Sequence, residues 1–255
     1  MNIMKHVFWV CSLLFCITVQ AQDPSKQEVT GLSIAAPEIR PFIYTNDKGE
    51  NEGLLIDTIQ KLNEGGKFVI SVEIMPWARA LKEVKEGRFD ALMPTVYTPE
   101  RSKYLSYPKQ PLINFYGSEI FKRVNDDFIY QSIALIDENK TLVKVRSTSV
   151  DRESEKEFRD ASTTFVETTR LEDAFNMLIY GHVDLLVTDS VIAKSTINQM
   201  GINDSVFGFL LTDTVDSSFL AFSNKYAEFH NINALMDEIN LINDPESYHH
   251  LSQEK

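Results

Sequence analysis

The stretch MPWARALKEVKEGRFDALMPTVYTPERSKYLSYPKQP, Met75 to Pro111, reads as helix, turn, strand, loop and helix start. Trp77, Leu81 and Val84 fall on one helical face, and Lys82, Glu83, Lys85 and Glu86 on the other. Gly87 suits the left-handed backbone that closes a helix, where any side chain is strained. Phe89 to Met93 is a short apolar run of the kind that makes a buried parallel strand. Thr98-Pro99-Glu100-Arg101 follows with a hydroxyl cap, a proline and an acid, the order expected where a helix begins. Open α/β sheets bind ligands where a strand's carboxyl end feeds a helix, so Trp77, Thr95, Tyr97 and Arg101 are candidates to meet there.

The pattern returns downstream. Ala80-Leu81, Gly87 and Asp90 with Ala-Leu-Met after it match Ala174-Phe175, Gly181 and Asp184 with Leu-Leu-Val after it, at the same spacing. Two similar α/β lobes explain this better than one long sheet. Asp189 takes the place in the second copy that Thr95 holds in the first.

Lys5 and His6 precede an apolar run from Val7 to Val19, and Val19-Gln20-Ala21 has the small residues of a cleavage site. Residues 1–21 are therefore expected to be a secretory signal peptide. Both cysteines, Cys11 and Cys16, leave with it, so no disulfide, thiol nucleophile or cysteine metal site is expected in the mature chain. No later stretch is long and apolar enough to span a membrane as a helix, and the mature protein is expected to be soluble. The roughly 230 residues left are enough for one large or two small domains. Net charge is -12 for the whole chain, which argues against nucleic acid and anionic membrane as partners.

In chain order, Thr30 to Ala35 reads as a strand. A loop with Arg40, Pro41, Phe42 and Tyr44 follows, then a helix from Gly53 to Leu62 ended by Gly65-Gly66, and a strand from Phe68 to Ile74. That alternation argues for a parallel sheet covered by helices. Pro111 to Arg123 is extended and aromatic, a crossing to the second lobe. Thr141 to Val145 begins that lobe's sheet, and Arg146-Ser147-Thr148-Ser149 leads into a charged helix. Hydroxyls at a helix start favour an anionic ligand group or serve as plain caps, so Ser147 and Thr148 carry both readings. Thr169 and Glu172 form a capping-box pattern, Val183 to Val187 a buried strand, Phe207 to Phe222 a return crossing and Tyr226 to Leu241 a last helix. The lobes are expected to comprise 22–116 with 217–255, and 117–216.

These residues resemble the bacterial extracellular solute-binding proteins of family 3, the periplasmic amino-acid-binding type, over nearly the whole mature chain. The resemblance rests on Pro41-Phe42 with Gly49, Gly53 and Asp57; on Pro76-Trp77 with Arg79-Ala80-Leu81; and on Gly87-Arg88-Phe89-Asp90. Tyr97-Thr98-Pro99-Glu100-Arg101 and Val183-Asp184-Leu185-Leu186-Val187-Thr188-Asp189 complete it. It implies a type II two-lobed α/β fold, each lobe a mostly parallel sheet flanked by helices, joined by two crossover strands and closing over a small ligand. It implies that Arg101 clamps a ligand carboxylate, that Asp189 receives an α-ammonium, and that Trp77 packs on the ligand's side chain. An ABC importer or a membrane sensor would be the partner, and the protein would be a periplasmic monomer without a cofactor. The chain departs from many amino-acid binders at Ala36 and Ile39, where an acid and an aromatic are usual, and at Arg146-Ser147-Thr148, where a glycine is usual.

Each residue also has a plainer reading. Arg101 suits a solvated charge or a partner for Glu100 or Asp90, Asp189 a cap for a helix near Ser190, and Trp77 a lobe core. Tyr44 and Phe42 are candidate cleft walls, with Phe42 the better core residue. The histidines make no metal constellation, and no nucleophile elbow, phosphate loop or dinucleotide fingerprint is present. A periplasmic enzyme of the cyclohexadienyl dehydratase type stays open as an alternative; it needs a proton donor in the cleft.

Overall fold

The computed structural model describes residues 30–127, 129–133, 136, 139–146, 152–160 and 163–248; the expected leader, Ser147 and Thr148 lie outside them. The first lobe opens with β1 (Thr30–Ala36), a small hairpin of β2 (Tyr44–Thr45) and β3 (Asn51–Glu52), and α1 (Leu54–Glu64). It continues through β4 (Phe68–Ile74), α2 (Trp77–Lys85) and β5 (Ala91–Val96). β1 lies between β4 and β5 and is parallel to both. Leu55, Ile56, Ile59 and Leu62 form the buried face of α1 and pack on Leu32, Ile34, Phe68 and Ile70 of the sheet. Burying each such side chain stabilises the lobe by about 1.5–3 kcal/mol. Trp77, Ala80 and Val84 of α2 pack with Ala35 and Leu92 in a separate cluster. Leu32, Ile34 and Ala36 of β1 thus enter one cluster and Ala35 the other, so the carboxyl end of the strand is buried on both faces.

A single 3-10 turn, Arg101–Lys103, and β6 (Leu105–Ser106) lead into the long β7 (Ile113–Arg123). The second lobe repeats the scheme with β8 (Thr141–Val145), α3 (Arg152–Asp160), β9 (Thr164–Thr168), α4 (Leu171–Ile179), β10 (Leu185–Asp189) and α5 (Ser190–Met200). β8 lies between β9 and β10, again parallel to both. The chain returns through β11 (Val206–Ser223) and ends in α6 (Asn224–Phe229), α7 (Ile232–Ile239) and a 3-10 turn at Pro245–Tyr248.

β7 and β11 run antiparallel along almost their whole length, from Ile113 beside Ser218 to Arg123 beside Val206. β7 also pairs with β10, and β11 with β5. The two lobes are therefore one continuous sheet of order β4-β1-β5-β11-β7-β10-β8-β9, with β6 on β11.

The repeat read from the sequence is also a repeat of hydrogen bonds. Asp90 Oδ2 accepts from Ser33 N at 2.8 Å and Ser33 Oγ at 2.6 Å, and Asp90 N donates to Ser33 Oγ at 3.2 Å. Asp184 Oδ2 accepts from Thr141 N at 2.8 Å and Thr141 Oγ1 at 2.9 Å, and Asp184 N donates to Thr141 Oγ1 at 3.1 Å. Gly87 and Gly181, at φ 68 and 74, turn the chain from helix into each brace. Burial pushes the Asp184 carboxyl up, but the bonds from Thr141 and the nearby Lys140 ammonium outweigh it and hold it below the usual range.

Three local expectations are corrected. Thr98–Arg101 begins no α-helix: Thr98 Oγ1 does accept from Arg101 N at 3.1 Å, but the turn stops because buried Leu105 is drawn into pairing with β11. Thr169 and Glu172 make no capping box: α4 follows an extended Arg170 with no side-chain cap, and Glu172 pairs with Arg170 Nε at 3.4 Å. The last helix is two helices. The His230 ring stacks on Tyr226 at 3.9 Å, and Asn231 Oδ1 caps α7 by accepting from Ala234 N at 3.2 Å, which starts a new helix there.

Asp90→Ala or Asp184→Ala removes the acceptor from a part-buried backbone N–H, which costs about 1–3 kcal/mol. Urea unfolding is expected to show that loss for each variant, and roughly its sum for the pair because the braces are in separate lobes. The Asp184 share is expected to fade as pH falls below about 4, because a carboxyl held low stabilises only while ionised. Wild-type stability in both single variants would show that the braces carry no load.

Candidate functional site

A cavity of about 130 Å³ lies between the lobes. The first lobe brings Ile39, Trp77, Pro94, Val96 and Arg101 to it; the second brings Val145, Val187, Thr188, Asp189 and Ile192. Phe115, Ser118, Asp216 and Ser218 of the crossing strands complete the wall.

Arg101 is not a surface charge, and its residue is only 8% exposed. Its Nη1 donates to Val96 O at 2.9 Å and to Thr95 Oγ1 at 3.4 Å, while its guanidinium carbon sits 5.1 Å from the centre of the Trp77 ring. Asp90, the alternative partner, is committed to Ser33 instead. Burial lowers the guanidinium's pKa, with Tyr107, Tyr104 and Glu100 acting against it. An arginine remains a cation under such a shift, so the cavity keeps a planar donor fork on an aromatic support.

Asp189 is a helix cap and also a cavity residue. Its Oδ1 caps α5 by accepting from Val191 N at 2.9 Å and Ile192 N at 3.1 Å, and the residue lines the cavity. A helix amino end favours a carboxylate. Burial nevertheless pushes this carboxyl up to about 7; the two cap bonds oppose the shift, and Asp216 and Glu119 add to it.

The remaining candidates are dispersed. Thr95 is buried behind the wall, where its hydroxyl helps hold Arg101. Tyr97 is 48% exposed and rests edge-on against Tyr107, with ring centroids 5.2 Å apart. Pro94 and Val96 line the cavity, so the two-residue period of a strand turns Thr95 and Tyr97 to its other face. Tyr44 lies in the β2–β3 hairpin under the Arg40 guanidinium, 3.9 Å away, and is not part of the wall. Phe42 is core and meets Phe115 at 5.4 Å. Arg79 points to solvent. Ser147 and Thr148 lie outside the described residues, while neighbouring Arg146 has its Nε 3.6 Å from Glu167.

Sequence reasoning missed Ser118, Asp216 and Ser218. Asp216 and Ser218 are two residues apart in an extended segment and so share a face, a signal that was there to read. Ser118 stands opposite Asp189 in the β7–β10 pairing. Among the described residues no group of three or more His, Cys, Asp or Glu is placed to hold a metal, and no helix is long and apolar enough to cross a membrane.

The fold is that of type II periplasmic binding proteins. An ancestral arginine-binding protein bound to arginine is similar at 19% identity and TM-score 0.70, over 88% of this chain and 96% of that one. A histidine kinase sensor domain with similarity to periplasmic binding proteins is similar at 16% identity and TM-score 0.72, over 88% and 94%. A proposed binding component of an ABC transporter from Wolinella succinogenes, complexed with lysine, is similar at 16% identity and TM-score 0.70, over 88% and 94%. No curated protein sequence matches the chain. The profile of bacterial extracellular solute-binding proteins, family 3, matches residues 33–201. That match spans more than half of the sequence, and the chain belongs to this family.

Proposed function

We propose that the protein captures a small zwitterionic metabolite, an α-amino acid or a close relative, between its lobes in the periplasm. The observation that carries this reading is one cavity with a guanidinium from one lobe and a carboxylate from the other, Arg101 and Asp189. The guanidinium fork suits the ligand's carboxylate, Asp189 its ammonium, the Ser118 and Ser218 hydroxyls the remaining polar atoms, and Trp77 its apolar part. Such a ligand gains contacts from both sides only when the lobes are closed, so it shifts the population towards closure. Val191, two residues after Asp189, is buried in the first lobe's core cluster, which ties the ligand contact to the closing surface.

The residues before 22 act as the export signal, and the lobes divide into 22–116 with 217–255, and 117–216. The closed form is a monomer read by an ABC importer or by a membrane sensor; the likeness to a transporter component and to a kinase sensor domain fits either outlet. A second reading draws on Asp189 itself. A carboxyl near 7 is partly protonated at neutral pH, as a general acid on a cyclohexadienyl acid requires. Turnover of prephenate would decide for the enzyme; saturable binding without turnover decides for the carrier.

A thermal-shift series with the standard amino acids tests the main reading. A ligand at about 100 times its Kd adds roughly 2.7 kcal/mol, which is about 5–10 °C for a chain of this size. Arg101→Ala is expected to abolish the shift, and Arg101→Lys to weaken binding at least about tenfold because an ammonium cannot form the bidentate pair. Full shifts in both variants would remove Arg101 from the site.

Binding is also expected to depend on pH. Asp189, with Asp216, Glu119 and Arg101 around it, has to ionise to hold an ammonium. Affinity should therefore be flat above pH 7 and fall by up to about tenfold per unit below it, with proton release on binding at pH 6. Calorimetry in two buffers of different ionisation enthalpy measures that release. Asp189→Asn should bind weakly with a flat profile, and a flat profile in the wild type would exclude an ammonium at Asp189.

A further inference from the structure

On the α5 side of the second lobe's sheet lies a cavity of about 500 Å³ that shares no lining residue with the one between the lobes. One wall is α5, where Val191, Lys194, Ser195 and Asn198 follow helical spacing and share a face. The other wall is the first half of β11, through Val206 and Gly208. Glu119 and Phe121 of β7 make the floor between them, and Pro41 of the first lobe closes one end. Phe121, Ile197 and Val206 belong to the second lobe's core cluster, so the deep part of the space is apolar.

Glu119 sets this space apart. Its side chain lies across β11 at Gly208, where an added Cβ would collide with Glu119 Oε2 and come within 2.7 Å of the Phe121 ring. A glycine inside a strand often marks such a close approach, and here it is what lets the carboxylate lie in the groove. Half-buried there, Glu119 makes no hydrogen bond or ion pair with any described residue, Lys194 on the α5 wall included. A carboxylate that has lost part of its hydration without gaining a partner is stabilised by a cation from outside the chain. Among the described residues Glu119 is the one acid on the wall, and a divalent metal ion needs more charged oxygen ligands than that. An organic ammonium meets the need: its charge pairs with Glu119 while its apolar body covers Phe121, Val206 and Ile197. Ser195, Asn198 and Asn203 leave the rim neutral, and Lys194 disfavours a second positive charge. We propose that this cavity is a second binding site, selective for a small organic ammonium ion with one charge and an apolar body. It stands independently of solute capture between the lobes.

Titration calorimetry of the mature protein with hexylammonium, hexanol and hexanoate tests this. Hexylammonium should bind at one equivalent, at least about tenfold tighter than either isostere, because only it completes the ion pair. Glu119→Gln should weaken it at least about tenfold. Asn198→Trp, at an exposed position of α5, fills the groove without entering the core and should abolish binding with the Tm unchanged. Hexanol binding as tightly as hexylammonium would reduce the cavity to an apolar groove and overturn the proposal. Hexanoate binding tighter would move recognition to Lys194 and overturn it too. Affinity that falls in Asp189→Asn and holds in Glu119→Gln would place the ammonium between the lobes, with the same result. No binding of hexylammonium overturns the second site and leaves the amino-acid reading, which the thermal-shift series tests, untouched.

Discussion

Strand β11 belongs to both lobes. Its second half lies on β5 of the first lobe, its first half lies on β7 alone, and β7 in turn lies on β10 of the second lobe. Each lobe is a parallel three-stranded sheet completed by an antiparallel crossing strand. The crossing strands are hydrogen-bonded to each other where they pass between lobes, so movement of one lobe must be absorbed by the β7–β11 ladder. That ladder is irregular between Leu210 and Val215, and the β11–β5 ladder shifts between Phe219 and Ala221. Such irregularities raise local twist and allow a strand to bend without breaking its pairing. The cavity residues Ser118, Asp216 and Ser218 are on this shared element.

The internal duplication explains why the site has two polarities. Asp90 and Asp184 brace equivalent strands through equivalent bonds to Ser33 and Thr141, and Gly87 and Gly181 make equivalent turns. Five residues beyond each brace the copies part. Thr95 keeps a hydroxyl that supports Arg101 from behind, while Asp189 presents a carboxylate to the cavity and caps α5 with it. The scaffold is duplicated, and the chemistry has diverged on it.

The duplication could be read from sequence because its residues serve the local backbone. A glycine at positive φ and an aspartate that bonds a neighbouring strand keep a fixed spacing whatever surrounds them. The strand-end position marked Trp77 and Arg101 and the repeat marked Asp189, the family pattern implied their roles, and each lines the cavity. What escaped depends on register. Thr95 and Tyr97 were assigned the face that Pro94 and Val96 occupy, since nothing in an apolar run marks which side of a buried strand faces a cleft. Ser118 and Asp216 were inside recognised crossings, but only the β7–β10 and β7–β11 pairings bring them to Asp189. The turn at Arg101 was mistaken for a helix because its cap is real; the tertiary demand of Leu105 on β11 overrode it.

Asp189 has two duties in conflict. Capping α5 wants a full negative charge, because two N–H groups and the helix amino end all point at it. Burial beside Asp216 and Glu119 works against that charge, and burial prevails. A cation placed at the cavity end of this carboxylate resolves the conflict, since it favours the ionised form that also strengthens the cap. The strengthened turn contains Val191 and Ile192, the residues that meet the first lobe. Under the proposed function a zwitterionic ligand acts on closure twice, its carboxylate engaging Arg101 and its ammonium firming the helix end that seats in the opposite lobe. Carriers and sensors both need binding and closure coupled in this way.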